Sequence, residues 1–278
     1  MAIALRTADG LSANSRAKVI GRWRLPADRL GVMRQEDVWN HQVAQRYDTP
    51  GIGVFSAEVL KPAVDRLAEL AGDDRALEFA VGTGRVAVPL AQRGVPVTGI
   101  ELSGPMIGQL RTKADETAIP VFAGDMTTTR APGTYALVYL VYNAISCLQT
   151  QSEQVACFRN AARHLTPGGR FVIELGVPDL RSLPPGQRAI VAKVEPGYII
   201  LDTYDVPNQH LVSHHFTYGA DNQAQLWRSP HRYIWPSELD LMAKLAGFEL
   251  EARHADWAGA EFTAESRSHV SVYRLMTS

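Results

Sequence analysis

The chain has only two cysteines, Cys147 and Cys157, and they do not stand at Cys-x-x-Cys spacing. Both sit among apolar neighbours, which predicts buried, reduced thiols and excludes a disulfide framework. The His/Cys/Asp clusters that a zinc site requires are also missing, so no metal is expected. No apolar run approaches the length that spans a bilayer. The opening Met1-Ala2-Ile3-Ala4-Leu5 is too short for a signal-peptide core, so a cytoplasmic protein is expected. Charge of either sign is not in excess: the net charge is −1. Such a chain has no overall field to draw it to nucleic acid or an anionic membrane. The basic residues between Arg16 and Arg34 form only a local cluster, read as solvated surface or a loose tail. Internal repeats and low-complexity segments are absent.

What remains is an ordinary globular composition of 46% hydrophobic and 21% charged residues over 278 positions, enough for one large α/β domain with an elaboration or for two modest ones. Met33 opens a helical stretch, and Val64, Leu67 and Ala68 fall at helical spacing before a stop at Gly72. A repeated beat follows. Ala76–Ala80 reads as a short buried strand, Val86–Gln92 as a helix and Val95–Glu101 as a second strand. Ser103 caps the next helix, with Pro105 in its first turn. Pro120–Asp125 is a third strand. Tyr135–Asn143 is so uniformly apolar that it belongs in the middle of a parallel sheet. Thr150 and Glu153 form a capping box for a helix reaching His164. Thr166-Pro167-Gly168-Gly169 then turns the chain into a fifth strand, Arg170–Gly176. This alternation predicts right-handed βαβ units. After Pro178 the rhythm becomes antiparallel, with stretches near Ala189–Val194, Tyr198–Val206, Leu211–Tyr218 and Gln225–Tyr233. A helix bracketed by Pro236 and Gly247 and two strands, Phe248–Ala255 and His269–Leu275, complete the chain.

The chemistry concentrates where the first strand meets its helix, in Glu78-Phe79-Ala80-Val81-Gly82-Thr83-Gly84. Glycines there let the backbone turn tightly and approach a ligand, and the helix start offers free N–H groups. Seventeen residues beyond Gly84, at the end of the second strand, stands Glu101. In a doubly wound sheet a carboxylate at that place can take both hydroxyls of a ribose. The glycines also fit the looser fingerprint of nicotinamide enzymes, Gly82-x-Gly84-x-x-Ala87. Three further features weigh against that reading: Glu78 ahead of the glycines, Asp125 with Met126 at the end of the third strand, and Leu165–Phe171 ahead of the fifth.

Together these residues resemble the class I S-adenosylmethionine-dependent methyltransferases, over roughly residues 45–177 and the final helix and strand pair. The resemblance implies a Rossmann-like, doubly wound, mostly parallel sheet of order 3-2-1-4-5-7-6 whose last strand is antiparallel, with an antiparallel β insert after strand five. It implies S-adenosylmethionine as cofactor, converted to S-adenosylhomocysteine. Glu78, Ala80, Gly82 and Gly84 would hold its methionine part, Glu101 its ribose, and Asp125 and Met126 its adenine, with Leu102 a further cofactor contact. Ala80 stands where the family has its first glycine, which narrows the backbone's freedom. The domain plan is an N-terminal extension and lid helix over 1–45, a cofactor-binding core over 46–178, the insert over 179–235 covering the substrate, and 236–278 completing the core.

Ligands gather at the carboxyl ends of such strands, which points to Tyr142 near the cofactor and to Asn143 and Ser146 near the acceptor. Tyr47 is a lid contact, with Phe55 a weaker one. Candidate bases lie in the insert. His214 and His215 face opposite ways on a strand. The face of His215, shared with Leu211, Ser213 and Thr217, is the more polar and the better suited to a wet cavity. The aromatic residues Trp227, Tyr233, Trp235 and Trp257, with His254, either wall the pocket or belong to the core. The expected activity is methyl transfer to an amine or hydroxyl of a small-molecule metabolite, by a monomer or homodimer without nucleic-acid or membrane partners. Asn143-Ala144-Ile145-Ser146 lacks the Pro-Pro-aromatic motif of DNA base methylation. An NAD(P)-dependent oxidoreductase and a non-catalytic cofactor-binding regulatory or assembly subunit are the alternatives.

Overall fold

The computed structural model describes residues 35–51, 53–219 and 223–277. The basic cluster between Arg16 and Arg34 and the start at Met33 lie outside the described residues. Two short helices, α1 (Gln35–Val38) and α2 (His41–Tyr47), precede α3 (Ala57–Ala71). Helix α3 buries Ala63, Val64, Leu67 and Ala71 at helical spacing and stops at Gly72, whose φ of 60° supplies the left-handed stop that the sequence predicts.

The main sheet is built from β1 (Ala76–Phe79), β2 (Val97–Glu101), β3 (Val121–Ala123), β4 (Tyr135–Leu140), β5 (Leu165–Gly176), β10 (Phe248–His254) and β11 (Ser268–Leu275). Its order is β3-β2-β1-β4-β5-β11-β10. The first five strands run parallel, and β11 is antiparallel to β5. With the insert's strands set aside, this is the expected 3-2-1-4-5-7-6 sheet. Helices α4 (Ala87–Gln92), α5 (Gly104–Arg111), α6 (Gln151–His164) and α7 (Pro236–Leu245) complete the alternation. The capping box of α6 forms as expected between Thr150 and Glu153.

The core divides into two layers. On one side of the sheet Phe158 sits within ring contact of Phe171, Phe248 and Tyr273. On the other Leu67, Leu90 and Leu110 pack on Val97 and Leu137. All three leucines and all four of those rings are sealed from solvent, each worth about 1.5–3 kcal/mol on burial.

Two boundaries differ most from the sequence reading, while β3 stops at Ala123, short of Asp125. Strand β4 ends at Leu140 rather than Asn143, because Tyr142 (φ 52°) and Asn143 (φ 61°) adopt left-handed backbone and leave the sheet. Strand β5 begins at Leu165, so the Thr-Pro-Gly-Gly segment joins the strand through an irregular register with β4 instead of forming a separate turn.

The insert forms its own antiparallel sheet in the order β6 (Ala189–Glu195), β7 (Tyr198–Asp205), β8 (His210–Tyr218) and β9 (Ala224–Arg232). It is tied to the core by Arg232, which is 6% exposed. The guanidinium donates to Gln154 Oε1 (2.6 Å) on α6, to Glu238 Oε1 (2.7 Å) on α7 and to Gln209 Oε1 (3.1 Å). Gln154 Nε2 returns a bond to the Arg232 carbonyl (3.2 Å). The buried cation is thereby paired and hydrogen-bonded on several sides, as burial requires.

Candidate functional site

Strand β1 ends at Phe79, and the chain enters a turn that is left-handed at Ala80 (φ 52°), Gly82 (φ 57°) and Gly84 (φ 78°). A Cβ at Gly84 would meet Val88 Cγ2 at 3.0 Å and Leu110 Cγ at 3.1 Å, a tight approach at a φ that already strains any L-residue. Ala80 carries a methyl group in a conformation that costs an L-residue roughly 1–2 kcal/mol. Ala80→Gly is therefore expected to stabilise the protein by about 0.5–1 kcal/mol, net of the larger freedom of the unfolded chain. Urea unfolding checks this; a destabilised variant would show that the turn is unstrained.

The carboxylate of Glu101, at the end of β2, lies beside this turn. Its Oε2 accepts the Gly82 N–H and its Oε1 the Ser103 N–H, both at 2.8 Å. Glu101 is 6% exposed, and burial raises its pKa against those two backbone bonds. Each oxygen keeps a further lone pair for a ligand hydroxyl. The next residue, Leu102, is exposed. Asp125 is also exposed and accepts the Thr127 N–H at 2.7 Å. Met126 is nearly buried; its carbonyl is held by Asn160 Nδ2 at 2.9 Å. A cradle of left-handed glycines, a ribose-length carboxylate and an exposed leucine and aspartate beyond it suits an adenosyl group.

Glu78 lies beneath the turn and accepts the Tyr139 hydroxyl at 2.9 Å. Desolvation dominates there and pushes its carboxyl up to about 8. A cation held against the turn would favour its charged form.

Over the turn sits the segment around α2. Tyr47 makes edge contacts with Trp39 and Phe55, and burial raises its pKa. Three contacts here were not foreseen from the sequence. Ser103 Oγ donates to the Trp39 carbonyl at 2.6 Å. Asp48 accepts from Thr83 Oγ1 and from Lys113 Nζ. Arg85 lies over the rings of Phe55 and Tyr142 and donates to the Val54 carbonyl at 3.2 Å. The position of Arg85, directly after Gly84, was the available signal.

At the end of β4, Tyr142 is 45% exposed and its N–H bonds Glu174 Oε2 at 2.9 Å. Asn143 is exposed, and its Oδ1 accepts the Gly176 N–H at 2.6 Å. Ser146 is buried in a 3-10 turn over Ala144–Cys147. Its hydroxyl reaches both the Asn143 carbonyl (2.7 Å) and His231 Nδ1 (3.1 Å) on β9. This last contact turns one face of the insert toward the strand ends.

Cross-strand register assigns His215 to that same face, with Ser213, Trp227, Ser229 and Tyr198. The His215 ring stacks on Trp227 at 3.5 Å between centroids. Its Nδ1 is 2.6 Å from the Tyr198 hydroxyl and its Nε2 3.0 Å from Ser229 Oγ. Burial pushes His215 and His231 down to about 4, so both rings are neutral at pH 7. Burial chiefly holds the Tyr198 phenol above its ordinary value. His214 is on the opposite face, bonded to Thr203 Oγ1 (3.0 Å) and Arg228 Nε (3.2 Å). The structure does not bring it to the other candidates. Nor does it bring Trp257 and His254, which line a groove with Lys61 and Asp65 on α3. Among the described residues no group of His, Cys, Asp and Glu could hold a metal, and no helix is long and apolar enough to cross a membrane.

Comparison with known proteins bears on the cofactor. A methyltransferase domain model matches residues 76–169. The CcbJ methyltransferase from Streptomyces caelestis is 35% identical, covers 86% of this chain with 98% of its own length, and superposes with a TM-score of 0.77. A cypemycin N-terminal methyltransferase from a Streptomyces species is 28% identical over 208 residues, 70% of this chain and 81% of its own. The fold is shared with CalS10, an amino pentose methyltransferase from Micromonospora echinaspora whose structure holds S-adenosylmethionine, at 21% identity and a TM-score of 0.58 over 82% of this chain and 98% of that one. The sheet order, the glycine turn facing Glu101 and the 35% identity over nearly the whole of a solved relative place this chain among the class I S-adenosylmethionine-dependent methyltransferases.

Proposed function

We propose that this methyltransferase acts on an amine of a small molecule held between the strand ends and the inner face of the insert. The observation that carries this reading is the state of the inward histidines. A hydroxyl acceptor benefits from a base with a pKa near the working pH. His215 has both ring nitrogens engaged and, like His231, is held near 4. Each is a weak base at neutrality. An amine brings its own lone pair and needs no stronger one. The cypemycin relative, named for N-terminal methylation, supports the same reading.

When bound, the cofactor supplies an electrophilic methyl on its sulfonium. Glu101 would hold the ribose, Leu102, Asp125 and Met126 the adenine side, and Glu78, Ala80, Gly82 and Gly84 the methionine side. Tyr47 and Arg85 would close over the reacting centre, and Tyr142, Asn143 and Ser146 would border the acceptor. His215 would orient the Tyr198 hydroxyl at the mouth of the insert, so that positioning carries much of the rate. His214, the other candidate base, would have no part in this arrangement.

The test is methyl transfer from S-adenosylmethionine to matched amine and hydroxyl acceptors, with the product located by tandem mass spectrometry. Transfer to nitrogen is expected, and transfer to oxygen would overturn the reading. His215→Ala is expected to lower kcat about tenfold or more while leaving S-adenosylhomocysteine affinity unchanged. Equal turnover in variant and wild type would remove His215 from the site.

A further inference from the structure

The inner face of the insert carries a carboxylate that the adenosyl site and the histidines leave unexplained. Asp202 on β7 pairs across the sheet with Ser213 on β8, which pairs in turn with Ser229 on β9. Paired residues of an antiparallel sheet share a face. Asp202 therefore stands on the side of the sheet from which His231 reaches Ser146 and on which Tyr198 bonds His215.

Its environment is unusual for a carboxylate. Asp202 is half-buried, and its Oδ1 is sealed from solvent with no hydrogen-bond donor. The Ser213 hydroxyl supports the side chain, yet burial still pushes its pKa up. Among the described residues no ion pair involves it. The ionisable neighbours on its face are Tyr198 and Tyr204 on β7, His215 on β8 and His231 on β9, and both histidines are uncharged at pH 7. Toward the β6 edge, Lys193 is paired with Glu195 at 2.9 Å. A buried carboxylate costs free energy unless a cation or several donors compensate it. Among the described residues no such compensation reaches Oδ1.

We propose that Asp202 is the specificity-determining residue of the acceptor site, receiving the ammonium nitrogen of a cationic amine. This rests on the reading of the acceptor as an amine. An aliphatic amine is protonated at neutral pH, so it enters as a cation and gives its proton to water before its lone pair attacks. A carboxylate in a partly dry site selects that charged form over the isosteric hydroxyl, which would leave the carboxylate uncompensated.

The experiment titrates the S-adenosylhomocysteine-loaded protein with ethanolamine, kanosamine and triglycine, with ethylene glycol and glucose as hydroxyl counterparts of the first two. The best amine is expected to bind wild type at least tenfold more tightly than its hydroxyl counterpart. Asp202→Asn is expected to lose that preference without change in S-adenosylhomocysteine affinity. Asp202→Ser serves as a second variant if the first misfolds. In turnover, Asp202→Asn is expected to raise KM about tenfold with little change in kcat. The gap should narrow as pH rises toward the pKa of the amine, a dependence that a merely structural role would not give. A wild type that treats amine and hydroxyl alike overturns the proposal, as does a variant that retains the preference. N-methylation with unchanged KM in the variant overturns Asp202 alone, whereas O-methylation overturns the amine reading itself.

Discussion

Calorimetric titration of a Glu101→Ala variant with S-adenosylhomocysteine is expected to give a dissociation constant raised by about ten- to a hundredfold, or roughly 1.4–2.8 kcal/mol. The reason is geometric. The Glu101 oxygens each hold one backbone N–H, those of Gly82 and Ser103. The carboxylate has about four lone-pair sites in all, which leaves the outer ones for a pair of ribose hydroxyls. Charge-assisted bonds of this kind are roughly twice as strong as neutral ones. Truncation removes the acceptors and also unfastens the glycine turn from β2. Glu101→Gln separates the two effects: it preserves volume and one backbone anchor, so its loss of affinity should be smaller than that of Ala. Unchanged affinity in the Ala variant would refute the ribose role.

The second large effect concerns Glu78 and pH. Its carboxyl is raised to about 8 in the fold from 4.5 in an unfolded chain, with desolvation as the chief cause. The sign follows from linkage. The folded state binds this proton more tightly, so Glu78 favours folding fully below about pH 4.5. That contribution is lost progressively as pH rises through about 8. At about 1.4 kcal/mol per pH unit, the loss is on the order of 5 kcal/mol. Unfolding of the cofactor-free protein should therefore become easier between about pH 5 and 8, and Glu78→Gln should flatten that slope. A wild-type slope unchanged by the substitution would show that Glu78 does not carry it. A cation held against the turn would pull this pKa down, so cofactor binding near neutrality should release a proton. Calorimetry in buffers of different ionisation heat reads that release directly.

Much of the scaffold behind these effects is local in origin and was legible. The apolar run of β4, the Thr150–Glu153 capping box and the alternation of β6–β9 each depend on near neighbours, and each appears where the sequence points. Glu101 was legible because strand length and the glycine turn together fix where a strand end lies. The polarity of Ser213 and Thr217 also pointed to the inner side of β8. What could not be read depends on contacts distant in sequence. No glycine or proline marks the end of β4: left-handed backbone falls on Tyr142, against its residue type, and on Asn143, which tolerates it. Asp48 meets Thr83 and Lys113 only after α2 folds across the turn. Asp202 joins Ser213 and Ser229 only through strand register, which the alternation leaves undetermined.

The Arg232 cluster also bears on how acceptor range can change while the transfer machinery stays the same. The insert is a contiguous stretch of chain with its own sheet, and so looks exchangeable between relatives as a cassette. Its anchor is not contiguous. Gln154 belongs to α6, ahead of the insert, and Glu238 to α7, behind it. A transplanted insert that brings its arginine to a host without these two partners would strand a guanidinium in a dry seam, at a penalty of several kcal/mol. Chimaeras are therefore best cut outside positions 154 and 238, so that the graft carries both of its own fastenings.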